Sequence, residues 1–299
     1  MSRQEDLVSN VWEIYKKLSR LESLGPSKEV NKLFTQLVAM CVPPSPIDVA
    51  KLPRQVQEMR SKLIRICAEA EGLMEKHYSA ALGSYESPLD HLAIFPYYTN
   101  YIKLAKVEFN ILRHHCPRAP TRITFVGSGP LPLTSLTLAS KHLTSTTFHN
   151  YDIDASANSL ARDLVSADAD LSRRMVFHTA NVMSVTEALS RYEVVFLAAL
   201  VGMDKEEKTR VVNHLAKHMA PGAVLMLRSA HGARAFLYPV VDSDDLRGFE
   251  VLSVYHPADE VINSVVIARK KAMPVQTQHD ARKSRRAVQF MPPQMIKHP

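Results

Sequence analysis

Apolar residues recur every three or four positions through roughly the first 115 residues, the spacing of amphipathic helices. In "LVSNVWEIYKKLSRLESL" one stripe carries Val8, Val11, Trp12, Tyr15, Leu18 and Leu21. "KEVNKLFTQLVAMCV" repeats the habit, and the prolines of "PPSP" (43–46) close it because proline offers neither the N–H nor the room a helix needs. "RQVQEMRSKLIRICAEAEGLMEKHYSAAL" predicts the longest helix, with Met59, Leu63, Ile66, Ala70, Leu73, Met74 and Ala81 facing one way. "FPYYTNYIKLAKVEFNILRHH" predicts another, after a loop containing "GSYESP".

At Thr121 the texture changes. "RITFVGSG", "TSTTFHNYDID", "MVFHTANV", "YEVVFLAAL" and "AVLMLRS" read as strands. Between them "LPLTSLTLASKHL", "ASANSLARDLVSADADLSRR" and "KEEKTRVVNHLAKHM" read as helices. Such alternation predicts an α/β fold, a parallel sheet with helices on both faces. "GFEVLSVYHPADEVINSVVIARK" is strand, loop, strand with no helix between, so the last pair is expected to be antiparallel. A parallel sheet with a terminal antiparallel hairpin is the Rossmann-like pattern of S-adenosylmethionine-dependent transferases. The expected organisation is an N-terminal helical domain (1–118), a Rossmann-like domain (119–271) and a tail (272–299).

Charge adds less than it first promises. The net charge is +7, yet from Arg269 onward eight Lys/Arg face one acid, Asp280, and account for all of it. The body is neutral, so a solvated, disordered basic tail is expected rather than a nucleic-acid surface. Cys41, Cys67 and Cys116 are widely spaced without a CxxC pair, which argues against a disulfide framework or structural zinc and suits a reducing compartment. The N-terminus is amphipathic rather than continuously apolar, unlike a signal peptide, and no run approaches the ~18 apolar residues of a membrane span. A soluble cytoplasmic protein is expected.

The chemistry starts at "TFVGSGPLPLTSL". A strand that breaks at Gly127 and Gly129 and resumes as a helix turns backbone N–H groups towards open space. A dinucleotide fingerprint needs a third glycine where Pro132 stands, and a P-loop needs a lysine that is missing. What remains suits adenosine and an amino-acid carboxylate, with Val126, Gly127, Ser128 and Gly129 as the loop. Asp152, 25 residues after Gly127, ends the next strand where an acid can accept both ribose hydroxyls, with Ile153 beside it. Asp154 is the alternative acid, or else the cap of the following helix. Asn181 and Val182 at the end of the third strand are placed for the adenine, and Ala199 and Leu200 after the fourth supply a small apolar floor.

The helical half carries its own candidates. At ~100° per residue, Glu71 falls about 90° from the centre of its helix's apolar stripe and Glu75 near 130°. Glu71 is thus the carboxylate better placed to enter a cavity, although a solvated boundary glutamate fits the pattern equally well. Tyr97, Tyr98 and Tyr101 cluster after a proline. With these blocks in view, "LIRICAEAEGLMEKHYS", "LAIFPYYTNYIKLAKVE", "FVGSGPLPLTSLTLA", "NYDIDASAN", "LAALVGMDKEEK" and "LRSAHGARAFLYP" resemble plant nicotianamine synthases, most nearly those of grasses, over nearly the whole chain to about Lys271.

The resemblance implies condensation of three S-adenosylmethionine molecules by aminobutyrate transfer and azetidine ring closure. The products are nicotianamine, a metal chelator and phytosiderophore precursor, and three 5′-methylthioadenosines. It implies no cofactor beyond S-adenosylmethionine, itself the substrate, and leaves a homo-oligomer open. The attacking amine is an ammonium at neutral pH, so a base must bind it and take its proton. Glu71 is expected to be that base and Tyr97 its companion, with Tyr101 and Glu75 as substitutes. Arg228 and His231 are expected to bind the carboxylates of substrate and intermediates. Two other readings stay open: a small-molecule methyltransferase on the same scaffold, and a non-catalytic protein holding an acidic partner through its tail. "HLAKH" (214–218) lacks the glutamate of HExxH and sits off its helix's stripe, so no metal is expected. "YIKL" (101–104) matches a vesicle-sorting pattern only weakly.

Overall fold

The structure is a computed structural model describing residues 3–272. The basic tail expected from residue 272 therefore lies, but for its first residue, outside the described residues. No helix among the described residues is long and apolar enough to cross a membrane.

The helical half holds four α-helices: α1 Arg3–Leu18, α2 Lys28–Cys41, α3 Arg54–Leu82 and α4 Tyr98–His115. Ser27 starts α2 by accepting the Val30 N–H on its side chain, and the helix stops two residues before the first proline of "PPSP". α1 ends at Leu18, so Leu21 packs from the following turn rather than from the helix. α3 has the bounds its periodicity predicts, but its buried face rotates along its length. Its first half buries Met59, Leu63, Cys67 and Ala70 in a core shared with α1, α2 and the later residues Phe236, Leu237 and Ile262. Its second half buries Glu75, Ser79 and Leu82 instead and leaves Leu73 exposed. The predicted stripe fails there because α3 passes from an apolar helical neighbour to a polar loop of the sheet.

Seven strands form one sheet in the order β3-β2-β1-β4-β5-β7-β6: β1 Arg122–Val126, β2 Thr147–Asp152, β3 Met175–Thr179, β4 Val194–Leu197, β5 Val224–Ser229, β6 Phe249–Tyr255 and β7 Ser264–Lys270. All pairings are parallel except those of β7, which is antiparallel to both neighbours. The expected terminal antiparallel pair is present, with its second strand inserted between β5 and β6. Every residue of β4 and β5 is buried, as covering both faces of a parallel sheet requires.

Helices α5 Leu133–Thr137, α6 Ala155–Val165, α7 Ala169–Arg174 and α8 Lys205–His218 join the strands, and α5 runs on as a π-helical turn, Leu138–His142. The helix expected across residues 155–174 is two, because the Asp168 side chain accepts the N–H groups of Asp170 and Leu171 and starts a new one. The chain order reverses between β1 and β4, which opens a crevice at the carboxyl ends of the strands. α4 packs against that sheet, Leu104 and Leu112 joining the core of Phe125, Phe196 and Met226. The helical half thereby closes the crevice.

Candidate active site

The loop after β1 sets the geometry. Gly127 and Gly129 have φ of 78° and 66°, the left-handed region that glycine alone enters cheaply. Gly127 lies against Val201, where a Cβ would come within 2.3 Å of a side-chain methyl. At Gly129 a Cβ would lie 2.6 Å from Oε2 of Glu75, so α3 brings its carboxylate directly onto the loop. The Ser79 hydroxyl donates to the Pro130 carbonyl at 2.8 Å, one turn further on, and fastens the helix there. Gly129→Ala is accordingly expected to displace the Glu75 carboxylate and to cost roughly 1–2 kcal/mol of backbone strain. Thermal unfolding together with ligand affinity measures both effects.

Asp152, at the end of β2, accepts the Gly129 N–H on Oδ2 (2.9 Å) and the Asp154 N–H on Oδ1 (3.0 Å). It braces the glycine loop and still faces the crevice. Asp154 is the cap of α6, accepting the Ser156 and Ala157 N–H groups, and it pairs with Lys76 of α3 at 2.5 Å. Asn181 accepts the Met183 N–H on Oδ1, which orients its amide at the end of β3. Ile153 is 73% exposed, a flap at the rim rather than part of a wall. The loop through Ala199 and Leu200 is pinned by Lys208, a buried lysine whose ammonium donates to the carbonyls of Ala199 (2.8 Å), Ala198 (3.3 Å) and Val201. Burial pushes this lysine down to about 7, opposed by Glu207.

All ten residues expected around an adenosine line one cavity of about 970 Å³ with Glu71, Glu75, Tyr101 and Arg228. Its loop presents the Ser128 hydroxyl, buried with no partner among the described residues. A second cavity, about 180 Å³, lies between α2, α3 and α4. The two share Glu71, Tyr101, Tyr238 and Asn263, which therefore form a wall between them.

That wall is a proton-bearing cluster. The Tyr101 hydroxyl is 3.0 Å from Glu71 Oε1 and 3.1 Å from Glu75 Oε1, and the Tyr238 hydroxyl donates to Glu71 Oε2 at 2.9 Å. One phenol has one hydrogen, so a second contact to a carboxylate requires that one carboxyl be protonated. Burial raises both glutamates; for Glu75 the nearby charge of Glu71 pushes further, well above the ordinary range. Glu71 is relieved by its two phenolic donors. Of the two, Glu75 holds a proton more tightly and Glu71 is the readier to ionise.

The folded chain keeps a proton on Glu75 that the unfolded chain releases above the ordinary carboxylate range. This group's contribution to stability is therefore fullest below that range and falls as pH rises towards its folded value. Glu75→Gln, of the same shape without the charge, is expected to flatten the fall in melting temperature over that window.

Four of the expected residues are placed differently from what the sequence suggests. Tyr97 precedes α4 and lines the smaller cavity beside Glu71, where burial and then the Glu71 charge raise its phenol, while Tyr101, one turn on, makes the hydrogen bond to Glu71. Glu75, placed outside by the helical wheel, is the more buried carboxylate because the glycine loop covers it. His231 is exposed, stacked on His256 with ring centroids 4.1 Å apart, and lines neither cavity. Arg228 does line the larger cavity, but its guanidinium is engaged by Glu108 at 2.8 and 3.0 Å and by Thr134 at 2.5 Å. It sits 5.9 Å from the Tyr101 ring centroid and supports that ring, with Nε and Nη2 the atoms so engaged.

Tyr238 escaped the sequence reading. It is the single phenol of "LRSAHGARAFLYP", a block whose cations drew attention first. Tyr101 and Leu104 lie within α4, Leu104 buried and Tyr101 bound in the cluster, so "YIKL" is not displayed as a linear sorting peptide. Among the described residues no group of three or more His, Cys, Asp or Glu is arranged to hold a metal ion.

Residues 1–275 match the family described as nicotianamine synthase protein. The nicotianamine synthase of Solanum lycopersicum is 66% identical over 268 residues, covering 90% of this chain and 84% of the relative. Nicotianamine synthase 9 of Hordeum vulgare is 58% identical over 270 residues, covering 89% and 79%. Among solved structures, MtNAS in complex with MTA and tNA superposes with a TM-score of 0.76 at 22% identity, covering 91% of this chain and all of the other.

Proposed function

The chain belongs to the plant nicotianamine synthase family, and from that premise we propose how its own residues carry the reaction. The activity is condensation of S-adenosylmethionine into nicotianamine by successive aminobutyrate transfers, with release of 5′-methylthioadenosine. S-Adenosylmethionine is the substrate, and no further cofactor takes part.

The donor occupies the larger cavity. Asp152 takes the ribose hydroxyls, Asn181 and Val182 the adenine, and the glycine loop leads the amino-acid arm towards the wall of Glu71, Tyr101 and Tyr238. The acceptor amine approaches that wall from the smaller cavity. Its nitrogen attacks the γ-carbon of the arm, the C–S bond breaks, and the bonding pair returns to sulfur as neutral methylthioadenosine leaves. The proton from nitrogen passes to Glu71, which Tyr101 and Tyr238 hold in place. Ring closure is the same displacement made within one molecule. The carboxylate cluster suits the cationic sulfonium and ammonium before the step and has less hold on the neutral thioether after it.

One observation carries this reading: a half-buried glutamate with two phenolic donors stands between two cavities, beside the glycine loop. We infer a division of labour at residues 118/119, the helical part supplying Glu71, Glu75 and Tyr101 and the sheet part the donor pocket together with Tyr238. The expectation of a grass-type enzyme has no such support, since the tomato relative exceeds the barley relative in identity; membership is drawn at the plant family.

The test is incubation of the full chain with S-adenosylmethionine alone, read by mass spectrometry. Nicotianamine and methylthioadenosine are the expected products, and S-adenosylhomocysteine without nicotianamine would overturn the reading. Asp152→Ala is expected to weaken donor binding by roughly 10- to 100-fold, because it removes a charged acceptor and frees the Gly129 N–H it holds. Calorimetric titration measures it.

A further inference from the structure

Asn263 stands just before β7, between Val261 and Ile262 on one side and the buried Ser264 on the other. It is 8% exposed, its Nδ2 is buried with no hydrogen-bond partner among the described residues, and it lines both cavities. The loop leading to it is tied down. Arg234 donates to the carbonyls of Pro257 and Asp259, and Asn100 donates to the Glu260 carbonyl at 2.6 Å. A rigidly held amide with an unsatisfied donor costs free energy in the folded chain, and a leucine of nearly the same volume would avoid that cost. Its position in the wall, beside Glu71, Tyr101 and Tyr238, supplies a reason to bear it.

We propose that Asn263 recognises the amino-acid head group of the substrate arm, its Nδ2 donating to the α-carboxylate and its Oδ1 accepting from the amine. The inference rests on the function proposed above. Arg228 has Nε and Nη2 taken by Glu108 and Thr134, so a further donor is needed to fix the orientation of that carboxylate. A neutral amide supplies one without adding a cation that would neutralise Glu71. It also offers both a donor and an acceptor, which suits a zwitterion presented first as donor and then as acceptor across one wall.

The test compares two ligands on the full chain, S-adenosylmethionine and methylthioadenosine, which lacks the head group. Asn263→Leu is expected to weaken S-adenosylmethionine binding by about tenfold or more, the loss of one hydrogen bond to a charged group. Methylthioadenosine affinity should change less than about twofold by the same reasoning, while the melting temperature stays level or rises. A residue that merely holds the fold behaves oppositely: melting temperature falls and both affinities fall together. That outcome, or unchanged affinity for both ligands, overturns the proposal. Should Asn263→Leu prove insoluble, Asn263→Ala carries the same ratio. The ratio is read from binding, so a parent chain that released S-adenosylhomocysteine would sink the proposed function without deciding the role of Asn263.

Discussion

Replacing Glu71 with glutamine is expected to lower turnover by about 10²- to 10⁴-fold, the range of a lost general base, with S-adenosylmethionine affinity nearly kept. The amide keeps the shape of the carboxylate and can still meet the Tyr101 and Tyr238 hydroxyls, but it cannot take a proton from the amine. Single-turnover release of methylthioadenosine separates the chemical step from binding. If Glu71→Gln keeps full rate while Glu75→Gln loses it, the two carboxylates have exchanged roles. The proton count argues against that exchange, since Glu71 has two phenolic donors and Glu75 has one contact that it must share.

The second large effect is on stability. Glu108 is fully buried on α4 and bidentate to Arg228, itself 7% exposed. Glu108→Ala strands a buried guanidinium, which costs about 3–5 kcal/mol. For a domain of this size that is a fall in melting temperature on the order of 10 °C. Turnover should fall as well, because Arg228 lies under the Tyr101 ring. The double change Glu108→Leu with Arg228→Met removes both charges and should recover most of the lost stability. A Glu108→Ala chain that melts with the parent would show that water reaches this pair.

Much of the architecture was legible because it follows from short-range pattern. The bounds of α3, the parallel strands and the antiparallel last pair all came from apolar spacing and from the missing crossover helix. The lining of the larger cavity was legible too, with the glycines, Asp152 and Asn181 at successive strand ends. What stayed hidden depends on neighbours distant in sequence. Glu75 reads as exposed on a helical wheel, and only the loop at Gly129, more than 50 residues on, covers it. Glu108 reads as one polar residue in "KVEFN" until β5 brings Arg228 against it. Tyr238 reaches Glu71 across 167 residues. Arg228 was found by position, but composition shows a cation without showing Glu108, the partner it already has.

The missing side chain at Gly129 has a wider consequence. The space a methyl group would fill is taken by an oxygen of Glu75, so the cradle for the donor and the store of the shared proton meet at one point. Neither can be retuned alone. A change that loosens grip on the sulfonium compound also shifts where hydrogen resides, and selectivity among sulfonium donors is mechanically coupled to acidity.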